Sequence, residues 1–411
     1  MFYVNRSSYL DAASGKGRKG MPSAGSETPA YEAEPWQRLE KTIRLMPACN
    51  HFVIPGSERA SLDEFLEPLL LNKPEESSRG LLEGVRRLLG VSEERITPGQ
   101  AEDVRRRYAA FCGTHTSEEY YHHVGGIAGV HTLGLLGNAE EGKEPGAEPG
   151  RLRYVASLDS IVRMPRENEV PAEQSMPRRF SDLVERVTRR VHACQASPGI
   201  MGIHLNLGAW RSLEVREVDE AAAYRAYETA RPSESDRAIV EDFLVVHVLR
   251  VCGGIGLPVQ IRSGTTDDAG GNLLGGNPAL LRAALAAAAA AKTRIILTGG
   301  GYPYTREAGL IARREGCWID LSFQSLQFTP RVLAMQLREW LELAGPGKIL
   351  FGTGRGGLGV IAGMWCVRRA LALTLGDMMS EGLCSEHDAL ETARDVLEGN
   401  AARVYGLTAP A

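Results

Sequence analysis

The sequence has no CxxC pair, no P-loop and no excess of basic residues. Its seven cysteines (Cys49, Cys112, Cys194, Cys252, Cys317, Cys366 and Cys384) are odd in number and scattered through apolar stretches. That spacing excludes a zinc ribbon or a thioredoxin-like motif and predicts buried thiols in a reducing, cytoplasmic setting. A net charge of −4 gives no electrostatic footprint for nucleic acid or for an anionic membrane surface. No apolar run approaches the ~20 residues needed to cross a bilayer, and the N-terminal residues lack a signal-peptide apolar core. Ala283 to Ala291 is alanine-rich and far shorter. No Ser-His-Asp or Cys-His nucleophile set is identifiable, and no internal repeat of 20–50 residues is visible.

What is present is alternation. The stretch Arg294 to Ser322 reads as one βαβ unit: the apolar run Arg294–Thr298, the triplet Gly299-Gly300-Gly301, a helix pattern from Ala308, and a second run Cys317–Leu321. Further strands are predicted at Leu45–Val53, Ile127–Leu136, Leu152–Leu158, Ile200–Leu207, Pro258–Arg262 and Lys348–Thr353. Helix patterns at Phe180–Cys194, Ser233–Gly253, Met364–Leu375 and Glu386–Asn400 lie between or after them. Asn277-Pro278 marks a helix start. Eight strands alternating with helices predict an α/β chain folded as a (β/α)₈ barrel, with ligands at the C-terminal ends of the strands. Residues 1–35, without apolar periodicity, are expected to be a flexible leader. Residues 36–411 form the single barrel domain, with a helical insert at 61–111 after the first strand.

At PVQIRSG (Pro258–Gly264), NPALLR (Asn277–Arg282), YPYTREAGLIA (Tyr302–Ala312), KILFGT (Lys348–Thr353) and NAARVYGL (Asn400–Leu407) the chain resembles the amidohydrolase superfamily, in its amidohydrolase-related branch. More narrowly it is similar to the barrel found beside glutamine-synthetase-like domains. CNHF (Cys49–Phe52) and MGIHLNLGAWRSL (Met201–Leu213) match more weakly, and the likeness spans about residues 45–407. The resemblance implies a metal held by HxH on strand one, histidines on strands five and six, and an aspartate on strand eight. Such a metal would carry an activated water. Here His51 remains, but Val53, Arg262, Gly299 and Gly354 stand in the other four slots. Arg262 stays protonated and cannot ligate a cation. The expectation is therefore no metal and no cofactor.

The residues left at the strand ends suggest other chemistry. His51, His204 and Asp320 are the candidate acid/base groups, with capping of a turn as the alternative role for Asp320. Arg262, Arg355, Arg211, Gly299, Gly300 and Tyr302 are candidates for holding a small anionic molecule, through guanidinium groups and free glycine N–H groups. The alternative role for Arg262 is pairing with Asp267, Asp268 or Asp320, which would fill the vacated metal volume. His122-His123, read as strand residues, point to opposite sides and make poor joint ligands. Arg306-Glu307 reads as a structural pair. The leading expectation is metal-independent acid/base chemistry (hydrolysis, cyclisation, isomerisation or elimination) on a small carboxylated metabolite. One alternative is an inactive pseudoenzyme that binds or scaffolds a biosynthetic enzyme; another is a metallohydrolase with substitute ligands. An accessible pocket exposing His51 and Arg262 favours catalysis; a mouth plugged by Phe52, Val53 and Trp210 favours the pseudoenzyme. Apolar helices such as WCVRRALALTL leave a homodimer open.

Overall fold

A computed structural model describes residues 34–53, 75–92, 96–138, 152–166, 176–229, 232–264 and 273–407. Eight parallel strands follow one another around a single sheet in sequence order: β1 (Ala48–Val53), β2 (Val130–Asn138), β3 (Leu152–Ser157), β4 (Ile200–Leu205), β5 (Val259–Arg262), β6 (Ile295–Thr298), β7 (Cys317–Asp320) and β8 (Ile349–Leu350). The chain just beyond β8 closes the ring onto β1. His51 N–H donates to the Phe351 carbonyl (3.1 Å), and Gly354 N–H donates to the Phe52 carbonyl (3.0 Å). The result is the (β/α)₈ barrel that the alternation predicts. The leader lies almost wholly outside the described residues, as does the first part of the insert.

Two structural results amend the sequence reading. The stretch EEYYHHVGG lies on the Ser117–Ala128 helix, which is capped by a Thr116–Glu119 capping box and ended by left-handed Gly129. Tyr120, Val124 and Ala128 are buried four residues apart, so the apolar period is helical and His122 does not sit on a strand. The closing apolar helix runs Leu358–Ser380, much longer than Met364–Leu375. By length and hydropathy it could cross a membrane, yet 83% of its apolar window is buried inside the protein. Its apolarity comes from being packed on nearly every side.

Gly352-Thr353-Gly354-Arg355-Gly356-Gly357 carries the GxGxxG spacing directly after β8. The sheet is closed and its strand order never reverses, so the switch point at which such a turn binds a dinucleotide does not exist here.

The barrel interior is filled in layers. Near the strand N-termini, Cys49, Val155, Met201, Ile296 and Leu350 pack against Val404 and Tyr405. These last two belong to the final helix, Asn400–Tyr405, which Asn400 anchors through its side-chain N–H groups to the Ile349 and Pro346 carbonyls (2.7 Å each). The outer layer, between strands and helices, is a second and larger apolar cluster.

Candidate active site

Above that floor the interior turns polar. Gln260 and Arg262 are two residues apart on β5, so both enter the barrel. Gln260 Oε1 accepts from Nδ1 of His204 (3.2 Å), and its Nε2 donates to the Tyr405 hydroxyl (2.9 Å). That hydroxyl lies 2.9 Å from Nδ1 of His51. Burial above all raises the Tyr405 pKa well over the usual tyrosine value, so the group remains a phenol and donates to His51. The His51 proton is thereby placed on Nε2. This nitrogen faces Asp320 Oδ2 at 3.0 Å, an electrostatic contact whose N–H direction is off the line of a hydrogen bond.

Asp320 is held hard. Its Oδ1 accepts the backbone N–H groups of Gly299 (2.9 Å) and Ser322 (3.1 Å), and Oδ2 takes the Ser322 hydroxyl. The carboxylate thus ties the turn after β6 to the turn after β7. The Gly299 N–H, expected to be free for an anion, is occupied by Asp320, because the left-handed glycine (φ +85°) turns its amide inward.

His204 is buried beneath the Phe52 ring (stacked, 4.7 Å). Burial pushes its pKa down to about 3; the Gln260 hydrogen bond opposes this and the Arg262 charge adds to it. At neutral pH it is a neutral imidazole. A register irregularity between Asn50 and Val53 turns Phe52 toward the site, and Val53 is buried in the outer core.

The centre of the mouth is occupied by Phe323. This residue follows β7 with φ +64°, a conformation uncommon for a bulky side chain. Its backbone N–H donates to the Thr353 carbonyl (2.9 Å). The buried Arg262 guanidinium lies over its ring at 4.2 Å, and the Phe52 ring meets it edge-on at 6.2 Å. A Cβ placed on Gly354 would come within 2.9 Å of the ring, and one on Gly299 within 3.9 Å. Phe323 therefore touches what the ends of β1, β5, β6 and β8 present, the four strands whose ends the resemblance assigns to metal ligands. Gly352 completes the seal, since a Cβ there would stand 2.8 Å from Asp320 Oδ2 and 3.2 Å from His51 Nε2.

The remaining candidates sit apart. Arg211 is half-buried in an ion-pair cluster with Asp242 and with Glu241 (3.4 Å) of the Glu234–Ile255 helix, and also donates to the Glu214 carbonyl (2.8 Å). Arg355 is half-buried on the turn after β8, its carbonyl accepting from Thr353 Oγ1 (2.9 Å). Tyr302 is 40% exposed and stands edge-on to Phe328 (4.8 Å). Gly300 is left-handed (φ +58°) beside Gln324 and Trp340. Arg306 pairs with Glu339 (2.5 Å) rather than with Glu307. Asp267 and Asp268 lie outside the described residues.

The Amidohydrolase family model matches residues 175–407, over half of the chain. The chain belongs to the amidohydrolase family. No curated protein matches it. Among solved structures, uronate isomerase from Thermotoga maritima superposes with a TM-score of 0.63 at 13% identity, over 90% of this chain and 97% of that one. Glucuronate isomerase from Caulobacter crescentus gives 0.67 at 13% identity, over 93% and 96%. Likeness at this identity establishes the fold alone, and it extends over β1–β3, where the family model does not reach.

The family's metal does not suit the donors present. Of the slots, only His51 offers a ligand; Arg262 brings a fixed positive charge and two glycines bring no side chain. Among the described residues no three His, Cys, Asp or Glu side chains converge as a metal-binding group. Sequence reasoning missed Gln260, Tyr405 and Phe323. Gln260 was legible, two residues before Arg262 on a strand; nothing in the sequence places the final helix under His51 or a phenyl ring in the mouth.

Proposed function

We propose that this amidohydrolase-family barrel no longer performs metal-activated hydrolysis and serves as a binding or scaffold protein. The observation that carries this reading is Phe323, whose ring lies among the strand ends where a metal and its substrate would meet. Burial of His51, His204 and Arg262 supports it, since a reacting molecule has no contact with any of them in this conformation. The seven cysteines form no disulfide and six of them are buried, which accords with a reducing, cytoplasmic location. The test is elemental analysis of protein purified without chelator. Well under one equivalent of zinc, manganese or iron is expected; a stoichiometric metal, lost together with an activity on chelation, overturns the proposal.

One observation favours a second reading: the His51–Asp320 contact beside the Arg262 cation is the pair that proton transfer on a carboxylated molecule would use. The carboxylate would meet Arg262 once Phe323 swings aside, and His51 would move the proton. The isomerases that share the fold make uronates the first molecules to try. Product formation lost in His51→Asn would establish this reading. Absence of turnover across sugar acids and aromatic carboxylates would favour the first.

A further inference from the structure

At the opposite end of the barrel, below the N-termini of β1 and β2, a cavity of about 130 Å³ opens between the Pro35–Ile43, Glu75–Leu89 and Leu358–Ser380 helices. Its charged lining is Arg44, Arg87, Arg368 and Arg369 with Glu40 and Glu83. Four guanidinium groups face two carboxylates, leaving a net charge of +2. Glu83 is shared by Arg87 (2.7 Å) and Arg44 (3.6 Å), and Glu40 is held by Arg369 (2.9 and 3.2 Å). Arg368 has no carboxylate within ion-pair distance among the described residues. It donates to the Ala128 (3.0 Å) and Met46 (2.5 Å) carbonyls, and its buried Nε–H has no acceptor. Carbonyl dipoles compensate such a charge only in part. Burial depresses the Arg368 pKa to about 10, and the Arg87 and Arg44 charges press it further the same way.

From this convergence of cations on one small cavity, we infer a binding site for a compact oxyanion of the phosphate class. A dianionic oxyanion would balance the excess, and guanidinium forks match the spacing of its oxygens. An apolar cavity of about 150 Å³ holds a benzene-sized guest, so this one has room for a single small anion. Trp365 and Met364 line its apolar side. The inference stands apart from the reading of the strand-end site.

The full chain is titrated with inorganic phosphate at constant ionic strength, following the thermal midpoint and the heat of binding. The midpoint is expected to rise with phosphate, as linkage requires. Arg44→Gln/Arg87→Gln, both partly exposed positions, should raise Kd at least tenfold, about 1.4 kcal/mol. Glu83→Gln, which removes the competing carboxylate, should lower Kd. A merely structural cluster would instead lose stability in Glu83→Gln and gain no affinity. No phosphate effect beyond that of chloride, or an unchanged or raised Kd in Glu83→Gln, overturns the inference. Glycerol 3-phosphate separates free phosphate from a monoester: binding equal to that of phosphate assigns the site to the phosphoryl end of a larger molecule. Binding of inorganic phosphate alone assigns it to the free ion.

Discussion

Phe323 is buried at the mouth in a left-handed conformation, so two opposing terms set the cost of replacing it. Removing the ring costs about 3–5 kcal/mol through lost burial and the cavity left behind. Glycine recovers roughly 1 kcal/mol of the backbone strain that alanine keeps. Urea unfolding should therefore rank wild type above Phe323→Gly, and Phe323→Gly above Phe323→Ala; Ala more stable than Gly would contradict the strained turn. His204 makes a pH prediction. Its folded pKa, near 3, lies below the ordinary histidine value, so the unfolded chain takes up a proton that the folded chain refuses. The neutral ring's contribution is complete above about pH 6.5 and is lost as pH falls toward 3, at up to about 1.4 kcal/mol per pH unit. His204→Asn should show a shallower loss of stability between pH 7 and 5; identical slopes would refute the assignment.

At the scale of elements, the Leu358–Ser380 helix is the spine against which other parts are set. Its glycines are there for contact: a Cβ on Gly363 would come within 2.7 Å of Thr353, and one on Gly376 within 2.6 Å of Trp36. Replacing a mid-helix glycine by alanine ordinarily gains roughly 1 kcal/mol. At Gly376 the sign should reverse, because the methyl group would meet the Trp36 backbone and push the first helix outward. A loss of roughly 1–3 kcal/mol is expected from such overpacking, read by chemical denaturation. A gain in stability would show that the first helix is not seated as described.

For the molecule as a whole, the closed barrel makes its thiols silent. Six cysteines are buried, and burial raises Cys49 and Cys252 to about 12. A thiol reagent at pH 8 should modify Cys384 first and the other six only with unfolding, since the thiolate is the reactive form. Mass mapping of the labelled sites checks this; early labelling of Cys49 would mean that the barrel floor opens. The same closure explains why His51, Gln260, His204 and Tyr405 form a network beneath the mouth: each polar group in the barrel interior must find its partner there.

The barrel is legible in the residues alone. Eight short β-branched runs separated by helical periods leave few other arrangements, and the strand positions held to within a few residues. The loss of ligand types is legible too, because Arg262, Gly299 and Gly354 can be read as letters. What replaced them emerges with the folded chain. Phe323 fills the mouth through a turn that no local pattern announces, and Tyr405 reaches His51 from a helix 354 residues later in the chain. The four arginines of the lower cavity come from three stretches far apart in sequence, Arg44, Arg87 and the adjacent Arg368-Arg369. Periodicity is local and survives in a string of residues; which side chain fills a given space depends on long-range packing, which exists only once the chain has closed.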